Sequence, residues 1–169
     1  MTKTEKSILL LTSDQIEQKI KRMAYEILEA NFNEKELILA GICDQGVLLA
    51  NQLSTNLEEI SSLKTTVTRI EMDKTTPFKQ DEDIITDEIR FNNKVIIMVD
   101  DVLHTGKTIA YSLKPFLSNK IKKIEVAVLV DRSHTAFPIK ATYIGYELST
   151  ILSDNIQVIL KGKKGVYLN

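Results

Sequence analysis

VIIMVDDVLHTGKTIAYSL, Val95 to Leu113, carries two conflicting signals. Gly106-Lys107-Thr108 matches the end of a nucleotide-binding P-loop, G-x-x-x-x-G-K-[ST]. The apolar run before it closes on Asp100 and Asp101 and reads as a buried strand delivering two acids to its carboxyl end. Counting back from Gly106, the first glycine of a P-loop falls on Asp101, where a carboxylate would repel phosphate. The acid pair itself resembles the magnesium-holding motif of P-loop enzymes, which occupies a different strand from the loop. One strand would have to carry both motifs, so the P-loop reading is set aside.

The same residues suit another phosphate chemistry. Thr105-Gly106-Lys107-Thr108 is a small polar turn opening a helix. Unpaired amides at a helix start bind phosphate, threonine hydroxyls add donors, and Gly106 lets the backbone approach closely. Asp100 and Asp101, five residues earlier, are acceptors only when ionised. They suit sugar hydroxyls or, through water, a magnesium ion. Two such charges about 6 Å apart, at an effective dielectric of about 20, repel by roughly 2–3 kcal/mol, so a partner for them is expected. Acceptors beside a phosphate cradle match a ribose 5-phosphate.

Outward from this stretch, strands and helices alternate. Thr12 and Gln15 have capping-box spacing, and Ile16, Ile20, Met23, Ile27 and Leu28 follow a helical period from about Ser13 to Asn31. Glu36–Ile42 reads as a buried strand, the stretch after Gly46 as a second helix, and Thr65–Met72 as an alternating strand. Asp73–Glu88 is polar, contains Pro77 and reads as a loop. A helix follows Gly106, with Pro115 placed to kink or end it. Ile124–Val130 is a further buried strand, and ATYIGY and NIQVIL are strand candidates. The pattern predicts an α/β fold with a parallel sheet flanked by helices, in which ligands bind beyond the strands' carboxyl ends.

The 169 residues are read as one domain, 1–169. Composition is 43% apolar and 27% charged with a net charge of −1, so no overall basic field points to nucleic acid or membrane. Only Arg22, Arg69, Arg90 and Arg132 are arginines among 22 basic residues. Arginine is the better bidentate reader of phosphates and bases, so RNA binding is disfavoured. The Lys120, Lys122, Lys123 and Lys161, Lys163, Lys164 groups read as solvated surface. A single cysteine, Cys43, rules out an internal disulfide. No stretch has membrane-spanning length and the first residues lack a signal-peptide core, so the expected location is cytoplasmic.

VIIMVDDVLHTGKT resembles the phosphoribosyl pyrophosphate (PRPP) signature of type I phosphoribosyltransferases: four apolar residues, two acids, two apolar residues, one free position, then T-G-x-T. KRMAYEILEAN, LILAGICDQGVLLANQL and AVLVDRSHTAFPIKATYIGYELST are similar to the PyrR group, uracil phosphoribosyltransferases that double as RNA-binding attenuators of pyrimidine operons. The resemblance spans about Ile16 to Leu160. It implies a five-stranded, mostly parallel core with a small hood and a flexible loop, and transfer of ribose 5-phosphate from PRPP to a nucleobase with magnesium and pyrophosphate release. Asp100 and Asp101 would meet the ribose hydroxyls and the metal, directly or through water. Thr105, Gly106, Lys107 and Thr108 would hold the 5-phosphate. Asp44, Gln45 and Gly46 would form the pyrophosphate loop. Asp131, Arg132, Ile144 and Tyr146 would line the base pocket. A homodimer or larger assembly is implied as well.

Two departures mark the leaving-group end. The family's pyrophosphate loop usually reads Thr-Arg-Gly, and here it is Asp44-Gln45-Gly46. A neutral amide replaces a cation and a carboxylate is added, a loss worth roughly 1.5–3 kcal/mol of charge-assisted bonding. The PyrR flexible loop typically carries Tyr-Arg-Asp-Asp. Here Met72-Asp73-Lys74-Thr75 stands in its place, with Lys74 a point charge lacking the arginine fork. His104 fills the free position before Thr-Gly and is expected to face the base, as a hydrogen-bond donor or proton acceptor, or simply to line the pocket. His134 and Cys43 read as structural.

Overall fold

The computed structural model describes residues 7–79, 85, 88–149 and 154–169. The chain runs β1 (Ile8–Thr12), α1 (Ser13–Ala30), β2 (Glu36–Ile42), α2 (Cys43–Ile60), β3 (Lys64–Ile70), β4 (Val95–Leu103), α3 (Lys107–Ser112), α4 (Lys114–Leu117), β5 (Lys123–Asp131), β6 (Tyr143–Glu147), β7 (Ile156–Ile159) and β8 (Gly165–Leu168). Five strands form a parallel sheet in the order β3-β2-β4-β5-β6. β1, β8 and β7 form a separate antiparallel sheet, the hood.

The sheet is covered on both faces, which explains its continuous apolar strands. Val95, Ile97 and Val99 of β4 join the α1–α2 side of the core. Ile96 and Met98 join the opposite side with Phe116 and Ile109. α1 buries Ile16, Ile20, Met23 and Ile27 on one stripe. It starts in a reciprocal capping box: Gln15 N–H donates to Thr12 Oγ1 at 3.3 Å and Thr12 N–H to Gln15 Oε1 at 2.9 Å.

Several boundaries differ from the sequence reading. α2 begins at Cys43 rather than after Gly46, because Cys43 takes φ +52° and turns the chain at once. Gly46 lies inside the first turn, where an added Cβ would stand 2.6 Å from the Val99 carbonyl oxygen. β4 continues past its acids to Leu103, paired with β5 up to Asp131. The helix after Gly106 is two short pieces broken at Leu113, since Pro115 has no N–H for the Tyr111 carbonyl. β1 and β8 were not anticipated. They draw both ends of the described chain into the hood.

Strand order reverses direction between β2 and β4, the switch point at which doubly wound sheets open a crevice. The turns after these two strands are Cys43–Gly46 and His104–Thr108.

Candidate active site

A cavity of about 270 Å³ opens above β4. It is lined by Lys74, by Asp100 to Ile109 in sequence, and by Arg132, Asn155 and Ile156. A larger groove of about 810 Å³ lies between α1 and α2. It gathers amides and exposed charges but no acid pair facing a glycine turn.

Asp100 ends the buried part of β4, its side chain 3% exposed. The expected partner of the acids is Lys74, whose Nζ donates to Asp100 Oδ1 at 2.8 Å and to Asp101 Oδ1 at 3.4 Å. Asp100 also accepts from the Asp101 amide at 2.9 Å. Burial pushes the Asp100 carboxyl up to about 7; the Lys74 ammonium pulls it back and the Asp101 charge adds to the rise. Lys74 itself is raised, the two carboxylates outweighing its own desolvation.

Lys74 is carried by a tight turn. Asp73 accepts from the Thr75 amide at 2.8 Å, from the Thr75 hydroxyl at 2.6 Å and from the Thr76 hydroxyl at 2.9 Å. These bonds hold its carboxyl down to about 2. A 3₁₀ turn at Pro77–Lys79 then crosses α3, with Lys107 Nζ 5.5 Å from the Phe78 ring centroid. The sequence reading gave Lys74 to the leaving group, whereas in this structure it lies on the acid pair. The rest of the proposed loop, residues 80–84, 86 and 87, lies outside the described residues.

The turn after β4 is pinned from beyond β5. Arg132 N–H donates to the Leu103 carbonyl at 2.9 Å, and the Ala136 and Phe137 amides donate to Thr105 O at 2.8 and 3.1 Å. Gly106 sits at φ +79°, and a Cβ there would come 3.0 Å from Ile139 Cβ, so both conformation and space require glycine. The Lys107 amide donates to Thr105 Oγ1 at 3.3 Å. No acceptor for the amides of Gly106 and Thr108 is found among the described residues. The turn therefore offers free donors a few residues from two carboxylates.

At the α2 side, Ile42 supplies no side-chain cap, and Gln45 Oε1 is buried without a partner. Asp44 points outward to Arg69, with Nη2 to Oδ1 at 2.7 Å. Cys43 Sγ donates to the Met72 carbonyl at 3.2 Å, and burial raises its thiol above the usual range. Such a thiol is no ready nucleophile.

His104 lines the cavity with Nε2 buried and without a partner. Its ring meets that of His134 edge-on at 6.2 Å. Burial lowers its pKa, and the charges of Arg132 and His134 act in the same direction, so the imidazole is neutral near pH 7. Arg132 is buried and donates to the Asp154 carbonyl at 2.8 Å. Of the other expected base-pocket residues, Asp131 accepts from the Ser133 amide at 2.8 Å. Ile144 packs against the α3 side of the core, and Tyr146 lies under Lys19 Nζ at 5.3 Å. None of these three lines the cavity. In parallel β6 the side chains at 144 and 146 project to the sheet faces rather than off the strand end. Asn155 and Ile156 take that place from the hood. The sequence carried no signal for them, because nothing local to NIQVIL says that it folds over β4.

This arrangement belongs to a class. Residues 10–160 match the phosphoribosyl transferase domain, and the chain belongs to that family, whose fold serves phosphoribosyl transfer. It is 37% identical over 164 residues to the bifunctional protein PyrR of Fusobacterium nucleatum, covering 93% of each chain, and 32% identical to that of Clostridium acetobutylicum, covering 90% of each. The fold is shared with the hypoxanthine phosphoribosyltransferase of Trypanosoma cruzi, with a TM-score of 0.77 at 14% identity and coverage of 95% of this chain and 94% of that one. A hypoxanthine-guanine phosphoribosyltransferase of Bacillus anthracis aligns with a TM-score of 0.71 at 17% identity, covering 94% and 95%. No described helix is long and apolar enough to cross a membrane.

Proposed function

We propose that this chain transfers ribose 5-phosphate from PRPP to a nucleobase, uracil being favoured by the likeness to the PyrR proteins, and releases pyrophosphate. The observation that carries the reading is the joint placement, in one cavity, of the Asp100–Asp101 pair and the free amides at Gly106 and Thr108. A bond forms between a base nitrogen and C1′ as the C1′–O bond to pyrophosphate breaks. Positive charge builds on the sugar, and carboxylates at the ribose stabilise it. Thr105–Thr108 takes the 5-phosphate and Asp44–Gly46 lies toward the pyrophosphate. Neutral His104 is placed to accept the proton the base nitrogen loses. Arg132, Asn155 and Ile156 enclose the base.

The oxygen-only donors Asp100 and Asp101 fit magnesium. When bound, it supplies neutralisation of the leaving group. We place the protein in the cytoplasm as a single-domain subunit of a homodimer or larger assembly.

A panel of common nucleobases offered with PRPP and magnesium tests the reading. Nucleotide and pyrophosphate should form with at least one base, and no product from any base would overturn it. A second reading, a PyrR-like regulator with weak transfer, is favoured by one observation: Lys74 holds both acids that the ribose would need. Nucleotide-dependent RNA binding without turnover would establish it in place of the first.

A further inference from the structure

The first turn of α2 presents Asp44 and Gln45 where the transferase reading needs a cation. One stands on the next strand. β2 and β3 pair with Gly41 opposite Arg69, so Arg69 reaches the carboxyl end of the sheet at the level where β2 turns into α2. Odd-numbered residues of β3 face α2: Thr65 bonds Ser54 at 2.6 Å, and Val67 packs into the core on that side. Arg69 continues this face. Its Nη2 donates to Asp44 Oδ1 at 2.7 Å and to Glu71 Oε1 at 3.3 Å, and its Nε donates to Glu71 Oε2.

Those bonds use one edge of the guanidinium. Nη1 has no partner among the described residues, and the side chain is 38% exposed. A fork held by two carboxylates has little freedom left to lose when another acceptor arrives. Asp44, 82% exposed, is drawn onto Arg69. Gly41 pairs with Val99 as well as with Arg69, which sets Arg69 two strand spacings, about 10 Å, from the residue before Asp100. A diphosphate on C1′ together with a long arginine side chain bridges that interval.

Resting on the transferase reading, we propose that Arg69 is the leaving-group cation of this protein. Its Nη1 takes a pyrophosphate oxygen of PRPP, while Asp44 and Glu71 position the guanidinium. With one cation and two acids the cluster carries a net charge of −1. It therefore takes pyrophosphate in its magnesium-neutralised form and rejects the bare anion. The cation missing from the loop at Gln45 is replaced from β3, a strand the loop's own sequence does not include.

The test measures binding of PRPP, of pyrophosphate and of ribose 5-phosphate, each with magnesium, to the wild-type chain and to Arg69→Gln, Arg69→Lys and Asp44→Asn. Arg69→Gln should weaken PRPP and pyrophosphate about ten- to a hundredfold, as loss of a charge-assisted bond predicts. It should leave ribose 5-phosphate, which lacks the leaving group, within about twofold. Arg69→Lys should recover part of the loss, since it keeps charge without the fork. Asp44→Asn should weaken PRPP several-fold if the acid positions Arg69. Unchanged PRPP affinity in Arg69→Gln, equal weakening of all three ligands, or tighter PRPP binding in Asp44→Asn would each overturn the proposal. A wild-type chain that binds neither PRPP nor ribose 5-phosphate would remove the transferase reading, and Arg69's role with it.

Discussion

The two ends of the candidate site are held by different kinds of bond. From Asp100 to Thr108 the geometry is set by backbone: a strand paired through Leu103, amides of the β5–β6 connection bonded to Thr105 O, and a glycine at positive φ. Around Asp44, Arg69 and Lys74 it is set by ion pairs between side chains from four segments, each pair with a partly exposed member. Backbone geometry survives when a ligand arrives, whereas a side-chain pair such as Lys74 on Asp100 and Asp101 can be exchanged. The first end is preorganised by its backbone; at the second, Arg69 is held by two acids while Lys74 can leave the acid pair. Changes at the first should therefore cost most and changes at the second should be graded.

The largest effect is expected from Asp101→Asn. If the acid pair stabilises charge on the sugar, kcat/KM should fall about a hundredfold or more, with ribose 5-phosphate still bound through the Gly106 turn. Transfer that survives within about threefold would detach the acids from the chemistry. Gly106→Val comes next. It forces a β-branched side chain into φ +79° and against Ile139. It should cost about 1–3 kcal/mol of stability, read by denaturant melts, and abolish ribose 5-phosphate binding. A variant that melts like the wild type would show the turn to be freer than its bonds imply.

A titration separates the ends further. Asp100, pushed up to about 7 by burial, must be ionised to accept from ribose hydroxyls. The kcat/KM profile should therefore climb as pH rises to about 7 and level off above it. Lys74 opposes the rise in that pKa, so Lys74→Met should move the midpoint upward. A midpoint that stays or falls would mean that Lys74 is not seated on the acids in solution. Stability runs the opposite way: the folded chain keeps a proton that the unfolded chain releases above about 4. Stability from this group should thus decline as pH rises from about 4 to about 7, and without Lys74 the decline should extend to higher pH.

What could be read from the sequence follows the same division. Val95–Thr108 was legible because its strand, acid pair and glycine turn are contiguous, and each residue type answers a local need. Asn155 and Ile156 were not, because a hood strand reaches the cavity only through the pairing of β7 with β8 and of β8 with β1. Ile144 and Tyr146 were assigned to the base pocket by the family resemblance, but neither lines the cavity: Ile144 packs on the α3 side of the core and Tyr146 on the α1–α2 side. Lys74 was legible as a cation near the site, yet its partner was not, since the choice between an acid pair and a leaving group depends on what occupies the cavity. Gln45 read as a lost cation, and only the register of β2 against β3 shows Arg69 beside it.

The smallest expected effect tests that last point. Gln45→Arg restores the cation that the family's loop usually carries. Were the leaving-group end simply degraded, the substitution should tighten PRPP by the full ten- to hundredfold of a charge-assisted bond, about 1.5–3 kcal/mol. With Arg69 already supplying that charge, two guanidiniums would compete for the same oxygens and repel each other, and the gain should shrink to about threefold or less. In the Arg69→Gln background the same change should recover most of what was lost. The two substitutions therefore form a cycle whose coupling energy measures whether Arg69 and position 45 serve one ligand. Additive effects would mean that they do not, and would leave the Asp44–Arg69–Glu71 cluster as a surface ion pair of little energetic weight.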